Sequence, residues 1–280
     1  MELKEGIVLK GAKYQENHKL VTLLTPEGLE LLLVRGALKQ KSKTFAYSQE
    51  LTKIEYGYVA KNEDALKIIT AGKVLSNYGA IKSDLDKLND AMLIVEFCEQ
   101  LGDHIEDGAT FYRFCADILD LINDSAESAY YLMIFKLKSL YLLGVGPVFT
   151  SCVSCGRRDA LAGFVFTAGG MKCETCRKQN EGFIPEGIAR IVRFLYLTKL
   201  PELTPEVLSR LPDRRPVAEF IDRYYEHYLG YRSRAARIIE KMSSRRIDSS
   251  QFFFSFPQWK NRVSQGNNYL SLILVCVYIL

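Results

Sequence analysis

Two Cys-x-x-Cys pairs, Cys152/Cys155 and Cys173/Cys176, constrain this chain more than any other feature, and seventeen residues separate them. Each pair presents two thiolates from one tight turn. The spacer has the length of a short hairpin that brings the second turn back to the first. Four thiolates then surround one ion, and tetrahedral all-cysteine coordination is what structural Zn²⁺ prefers. Gly156 supports this reading, because the position after such a pair often needs a φ that only glycine adopts cheaply. Between the pairs, Gly163-Phe164-Val165-Phe166 reads as a strand, Thr167-Ala168-Gly169-Gly170 as a turn and Met171-Lys172 as the return. The pattern predicts a zinc ribbon holding one structural ion. With all four positions filled by protein, no site stays open for water, and catalysis at the ion is not expected.

Two disulfides would need an oxidising compartment, and no secretory leader is expected where Glu2, Lys4 and Glu5 interrupt any apolar run. A thioredoxin-type centre would place one pair at a helix start and would not need the second. The other cysteines, Cys98, Cys115 and Cys276, lie in apolar surroundings and read as small buried hydrophobes. The net charge of +4 is mild but uneven: residues 81–150 sum to −7, and the segments on either side are basic. An acidic middle between basic ends suggests distinct surfaces for distinct partners.

Residues 2–75 read as all-β, within a first domain of 1–80. Ile7-Val8-Leu9, Leu20 to Leu24, Leu29 to Val34, Leu51 to Tyr58 and Ala65 to Thr70 are short apolar or alternating runs, with a turn signal at Thr25-Pro26-Glu27-Gly28. Five strands without a helical period fit a small closed barrel of OB or SH3-like type, with a sandwich fragment as the alternative. The segment from Arg35 through Lys39 and Lys41 to Lys43 carries four cations and no carboxylate, then runs into Phe45 and Tyr47. One reading is a solvated loop. The other is a nucleic-acid surface, in which cations track phosphates and the two aromatic faces stack on bases.

From Asp84, a plausible N-cap, the period becomes helical, and Gly102 or Gly108 ends the first helix. Thr110–Ile122 and Glu127–Leu143 follow, covering 81–150, and their apolar stripes read as core. The carboxylates Asp103, Glu106, Asp107, Asp117, Asp120 and Asp124 read as a solvated face, since no Glu-x-x-His pattern pairs them. After the ribbon (151–184), residues 185–242 return to helix, opened by Pro185, by Thr204-Pro205 and by Pro216. The basic end of the last helix, Tyr231 to Arg237, reads equally as a second nucleic-acid contact or a charged terminus. The apolar tail, 243–280, has no evident period and is too short in its last run to span a bilayer as a helix.

The order of these parts resembles the RecO family of bacterial recombination mediators. The resemblance rests on Glu16-Asn17-His18-Lys19 through Gly28, the Arg35-Gly36-Ala37 turn with its basic run, the two cysteine pairs and Tyr225 through Ser233. It covers about residues 1–242, with the tail outside. It implies an α+β multidomain protein: an N-terminal OB-fold barrel and an α-helical domain with an inserted four-cysteine zinc ribbon. It also implies a non-enzymatic, cytoplasmic and nucleoid-associated protein, with no membrane partner. Such a protein binds single- and double-stranded DNA, anneals complementary strands, and acts with RecR to load RecA onto strands coated by single-stranded-DNA-binding protein (SSB). The matching basic positions are Arg35 and Lys39, then Lys41 and Lys43, with Lys19 from the neighbouring strand. Family members also hold the acidic SSB tail on the helical domain, where Arg113, Lys136 or Lys138 would have to serve. The sequence carries no P-loop, no nucleophile–base arrangement and no paired acid/base signature. Two rival classes remain: a zinc-ribbon DNA-processing enzyme, and an adaptor without direct DNA contact.

Overall fold

Strand β1 (Lys4–Tyr14) pairs antiparallel with β2 (His18–Thr25) on one side and β4 (Thr52–Val59) on the other. β2 pairs with β3 (Gly28–Val34), and β3 runs parallel to β5 (Lys67–Ser76), which closes the ring onto β4. The order β1-β2-β3-β5-β4 is a closed five-stranded barrel of OB type, with a short helix α1 (Lys43–Ala46) between β3 and β4. The computed structural model describes residues 3–39, 42–62 and 65–233; Lys41, Cys276, the basic run from Arg234 and the tail 243–280 lie outside the described residues.

Alternation along each strand decides which side chains fill the barrel, because successive residues point to opposite faces. Val8, Val21, Leu23, Leu32, Val34, Ile54 and Tyr56 turn inward and are buried. Their neighbours Ile7, Leu9, Leu24 and Leu51 turn outward into a second core shared with the helices. Burying a side chain of this size contributes about 1.5–3 kcal/mol, so the outer row couples the barrel to the helical part.

That second core is built by α2 (Gly79–Ser83), α3 (Leu85–Leu101), α4 (Gly108–Asp124) and α5 (Ser128–Leu142). Asp84 caps α3 as its spacing predicts, accepting from the amides of Asp86 and Lys87 at 2.9 and 3.1 Å. Asp107 caps α4 by accepting from the Thr110 amide at 2.9 Å, and the Thr110 hydroxyl together with that amide holds its carboxyl below the usual range. Gly108 therefore opens a helix, while Gly102 ends one. The chain then forms the hairpin β6 (Leu161–Val165) and β7 (Gly170–Cys173), followed by α6 (Glu186–Leu197), α7 (Pro205–Leu208) and α8 (Arg215–Leu229). Val217, Phe220, Ile221 and Tyr224 form the buried stripe expected of α8, and Gly230, at φ +61°, stops it.

Cys98 and Cys115 are buried, as their surroundings predict. Three spans differ from expectation. β1 runs on to Tyr14 through polar residues, β5 runs past Gly72 to Ser76, and Phe166 leaves the ribbon strand for a 3-10 turn. Each strand extension is carried by ladder pairing, which apolar content does not report. Among the described residues, no helix is long and apolar enough to cross a membrane.

Candidate nucleic-acid interface and metal centre

The basic segment leaves β3 just after the buried Val34 and is fixed in place by its neighbours. Gly36 takes φ +71°, which favours glycine, and its amide donates to His18 Nδ1 at 3.1 Å. The Leu38 amide donates to the Asn17 carbonyl at 3.3 Å. Between them Ala37 is fully buried in the barrel core. The loop is thus plugged in the middle and hydrogen-bonded to the β1–β2 hairpin. Ser42 then caps α1, accepting from the Thr44 amide.

Arg35, Lys39 and Lys43 are exposed on this frame, and none is in an ion pair among the described residues. Lys19 is half-buried and differs in role: its ammonium donates to the Ser48 carbonyl at 3.0 Å, tying β2 to the segment after α1. Phe45 is 39% exposed and keeps an accessible ring. Tyr47 does not. It is 5% exposed, packs in the barrel core, and burial pushes its hydroxyl pKa up. A Cβ on Gly72 would lie 2.8 Å from its ring, so that glycine in β5 is where the ring rests. The expectation that Tyr47 stacks on bases is corrected: α1 turns it inward, and only Phe45 of the pair faces out.

Of the three helical cations considered for the SSB tail, two are already engaged. Lys138 donates to the carbonyls of Tyr196 and Thr198 at 3.0 and 2.7 Å, capping the C-terminus of α6, and burial lowers its pKa. Lys136 pairs with Asp222 at 2.6 Å and lies over the Tyr225 ring. Arg113 is exposed on α4, with weak contacts to its own helix at 3.4 Å.

The four cysteines converge. The sulfurs of Cys152, Cys155, Cys173 and Cys176 all lie within 4.8 Å of one another, and those of Cys155 and Cys173 are 3.7 Å apart. A tetrahedron of thiolates at zinc, with Zn–S about 2.3 Å, has edges of about 3.8 Å, so the set fits one ion. Gly156 takes φ +75°, as the first turn requires, and its amide donates to the Cys152 carbonyl at 2.8 Å. The Cys173 amide, with those of Ser154 and Cys155, points at the Cys152 sulfur and brings its pKa down to about 6. The Cys176 amide lowers Cys173 in the same way. Cys176 is pushed up to about 12, because its thiol is shared with the sulfurs of Cys155 and Cys173. Such a cluster releases protons as it takes a cation.

The hairpin between the cysteine turns is anchored on α8. Phe164 is fully buried between Phe149 and Phe220, at ring distances of 5.0 and 5.7 Å. Tyr228 donates to the Phe166 carbonyl at 2.7 Å. Within the ribbon, Lys172 is buried and paired with Glu181. Sequence reasoning found the cysteines and the cations but missed His18, Gly72 and this pair. The hairpin motif contains His18, yet nothing in it marks an acceptor for a loop amide.

The family model described as "Recombination protein O N terminal" matches residues 1–78, and "Recombination protein O C terminal" matches residues 82–236. A protein of Exiguobacterium sp. called "DNA repair protein RecO" is 30% identical over 240 residues, 85% of this chain and 94% of its own length. A Listeria monocytogenes protein of the same description is 25% identical over 245 residues, covering 86% and 95%. One from Oceanobacillus iheyensis is 26% identical over 275 residues, covering 96% and 99%. The last alignment necessarily runs past residue 242, so similarity extends into the tail that the motifs left out.

Proposed function

The chain belongs to the RecO family of DNA repair proteins, and from that premise we propose that it is a recombination mediator that binds and anneals single-stranded DNA. The observation that carries this is the exposed Arg35, Lys39 and Lys43 on a loop fixed to an OB-type barrel. Annealing needs no nucleophile. It needs cations that reduce repulsion between two phosphate backbones while leaving the bases free to pair, and each phosphate contacted releases counterions. A loop held at Gly36 and Leu38 keeps those cations in place without ordering them anew for each strand.

The four cysteines would hold one structural Zn²⁺. The ion would tie together the two turns that flank the hairpin, and the closed donor set leaves no coordination place for a reacting water. The ribbon then serves to fix the surface beside α8. The residue ranges 1–80, 81–150, 151–184 and 185–242 are proposed as barrel, first helical part, ribbon and second helical part. Partners follow from the family: duplex DNA, RecR, the acidic tail of SSB, and RecA loaded indirectly. Of the three cations considered for the SSB tail, Arg113 is favoured, because Lys136 and Lys138 are committed to Asp222 and to the end of α6.

The test is fluorescence-monitored annealing of complementary strands coated with SSB, with and without RecR, in the absence of added divalent metal. The proposal expects the protein to accelerate annealing and leave both strands intact. Mg²⁺-dependent cleavage of labelled DNA by the purified protein would favour the processing-enzyme class. Failure to bind either strand would favour the adaptor.

A further inference from the structure

The tip of the β1–β2 hairpin brings to the basic loop a ring that the sequence does not assign. Tyr14 ends β1 and pairs across the ladder with His18, the first residue of β2, and directly opposed residues share one face of a sheet. His18 accepts the Gly36 amide at Nδ1, and Asn17 accepts the Leu38 amide. The hairpin tip and the cationic loop are therefore joined by two hydrogen bonds, one made by the cross-strand partner of Tyr14 itself. Tyr14 is 38% exposed, and its side chain has no hydrogen-bond or ring partner among the described residues. Three tyrosines of the cores behave otherwise: Tyr56 donates to Glu30, Tyr130 to the Pro212 carbonyl and Tyr225 to the Lys136 carbonyl.

We propose that Tyr14 is a base-stacking residue, carrying an unpaired base of a strand whose phosphates run along Arg35 and Lys39. The proposal rests on the nucleic-acid reading above and adds to it a preference for nucleic-acid form. An aromatic face accepts any base, but only one released from its own stack. The ring therefore adds affinity for single strands and none for an intact duplex, whose phosphates meet the loop alone. His18 is a positioning residue: its Nδ1 must remain an acceptor to hold the loop beside the ring. Tyr14 takes over the part expected of Tyr47, which the barrel core removes from solvent.

The experiment compares the full chain with Tyr14→Ala and Tyr14→Trp on an oligothymidine strand and on a duplex of equal length. Tyr14→Ala is expected to weaken single-strand binding by about 5- to 150-fold, the range for losing one stacked base, with duplex binding and melting temperature unchanged. Tyr14→Trp should retain binding, and its fluorescence, read against the wild type with its single native tryptophan, should be quenched by the strand. His18→Asn keeps an acceptor in the place of Nδ1 and should bind as the wild type does, whereas His18→Leu should lose affinity for both forms. Equal losses on strand and duplex for Tyr14→Ala, or no loss, overturn the stacking role; an unaffected His18→Leu overturns the positioning role. If Arg35→Glu with Lys39→Glu weakens binding while Tyr14→Ala does not, the stacking inference fails and the nucleic-acid reading stands. If neither change weakens binding, that reading fails as well.

Discussion

Replacing Tyr47 locates the border between the barrel core and the proposed DNA surface. The ring is 5% exposed among the inward residues of the barrel, and three of its atoms lie 2.8–3.0 Å from the position a Cβ would take on Gly72. Tyr47→Ala empties that space, and aromatic-to-alanine changes in a closed core cost about 3–5 kcal/mol. For a cooperative unit of this size that corresponds to a fall in melting temperature of about 6–20 °C. Tyr47→Phe keeps the ring and should cost under about 1.5 kcal/mol. Gly72→Ala presses on the same contact from the other side, with overpacking worth about 1–3 kcal/mol. The assay is thermal and urea unfolding by far-UV circular dichroism, with single-strand affinity measured well below the transition. Stability should fall most in Tyr47→Ala, less in Gly72→Ala and least in Tyr47→Phe, and affinity of the folded protein should hold. An unchanged melting temperature with weakened single-strand binding in Tyr47→Ala would refute the placement of the ring in the core.

Three further outcomes are expected. Cys152→Ser should bring zinc content below one ion per chain by metal analysis, and should raise amide exchange between Phe164 and Lys172 while β1–β5 keep their protection; a fully loaded variant contradicts the ligand assignment. Lys138→Met leaves the part-buried carbonyls of Tyr196 and Thr198 without their donor, a loss toward the lower end of the about 1–3 kcal/mol for fully buried groups, and an unchanged urea midpoint would count against it. The bond from Lys172 holds the Glu181 carboxyl below its ordinary value of 4.5, so its contribution is full above that value and is lost as pH falls through the lowered folded one. The stability difference between wild type and Glu181→Gln should accordingly be constant above pH 4.5 and shrink below it; a difference that grows on acidification would reverse the sign.

The four-cysteine cluster was the most legible part of the chain, because four cysteines in two turns leave few other geometries and Gly156 marks the first turn's φ. The barrel was legible at its apolar centre: Val8, Val21, Leu32 and Ile54 alternate with residues that face outward. Its edges were not, since the reach of β1 to Tyr14 and of β5 to Ser76 depends on ladder partners distant in sequence. Tyr47 shows the same limit from the other side. An aromatic after a run of cations looks like a stacking face, but a short helix turns it inward onto a glycine of a distant strand. His18 was visible only as part of a motif, because a single long-range hydrogen bond to Gly36 leaves no periodicity behind.

If the basic loop holds single strands as proposed, the salt dependence of their binding reports it. In Arg35→Glu with Lys39→Glu, two of the three exposed cations of the described loop are reversed. Each phosphate contact to a single strand contributes about −0.7 to the slope of log K against log salt, so the double variant should be flatter by about 1.4. Affinity at low salt should fall while melting temperature and zinc content stay as in the wild type. The same affinity and the same slope in both proteins would contradict the account and leave the loop a solvated surface.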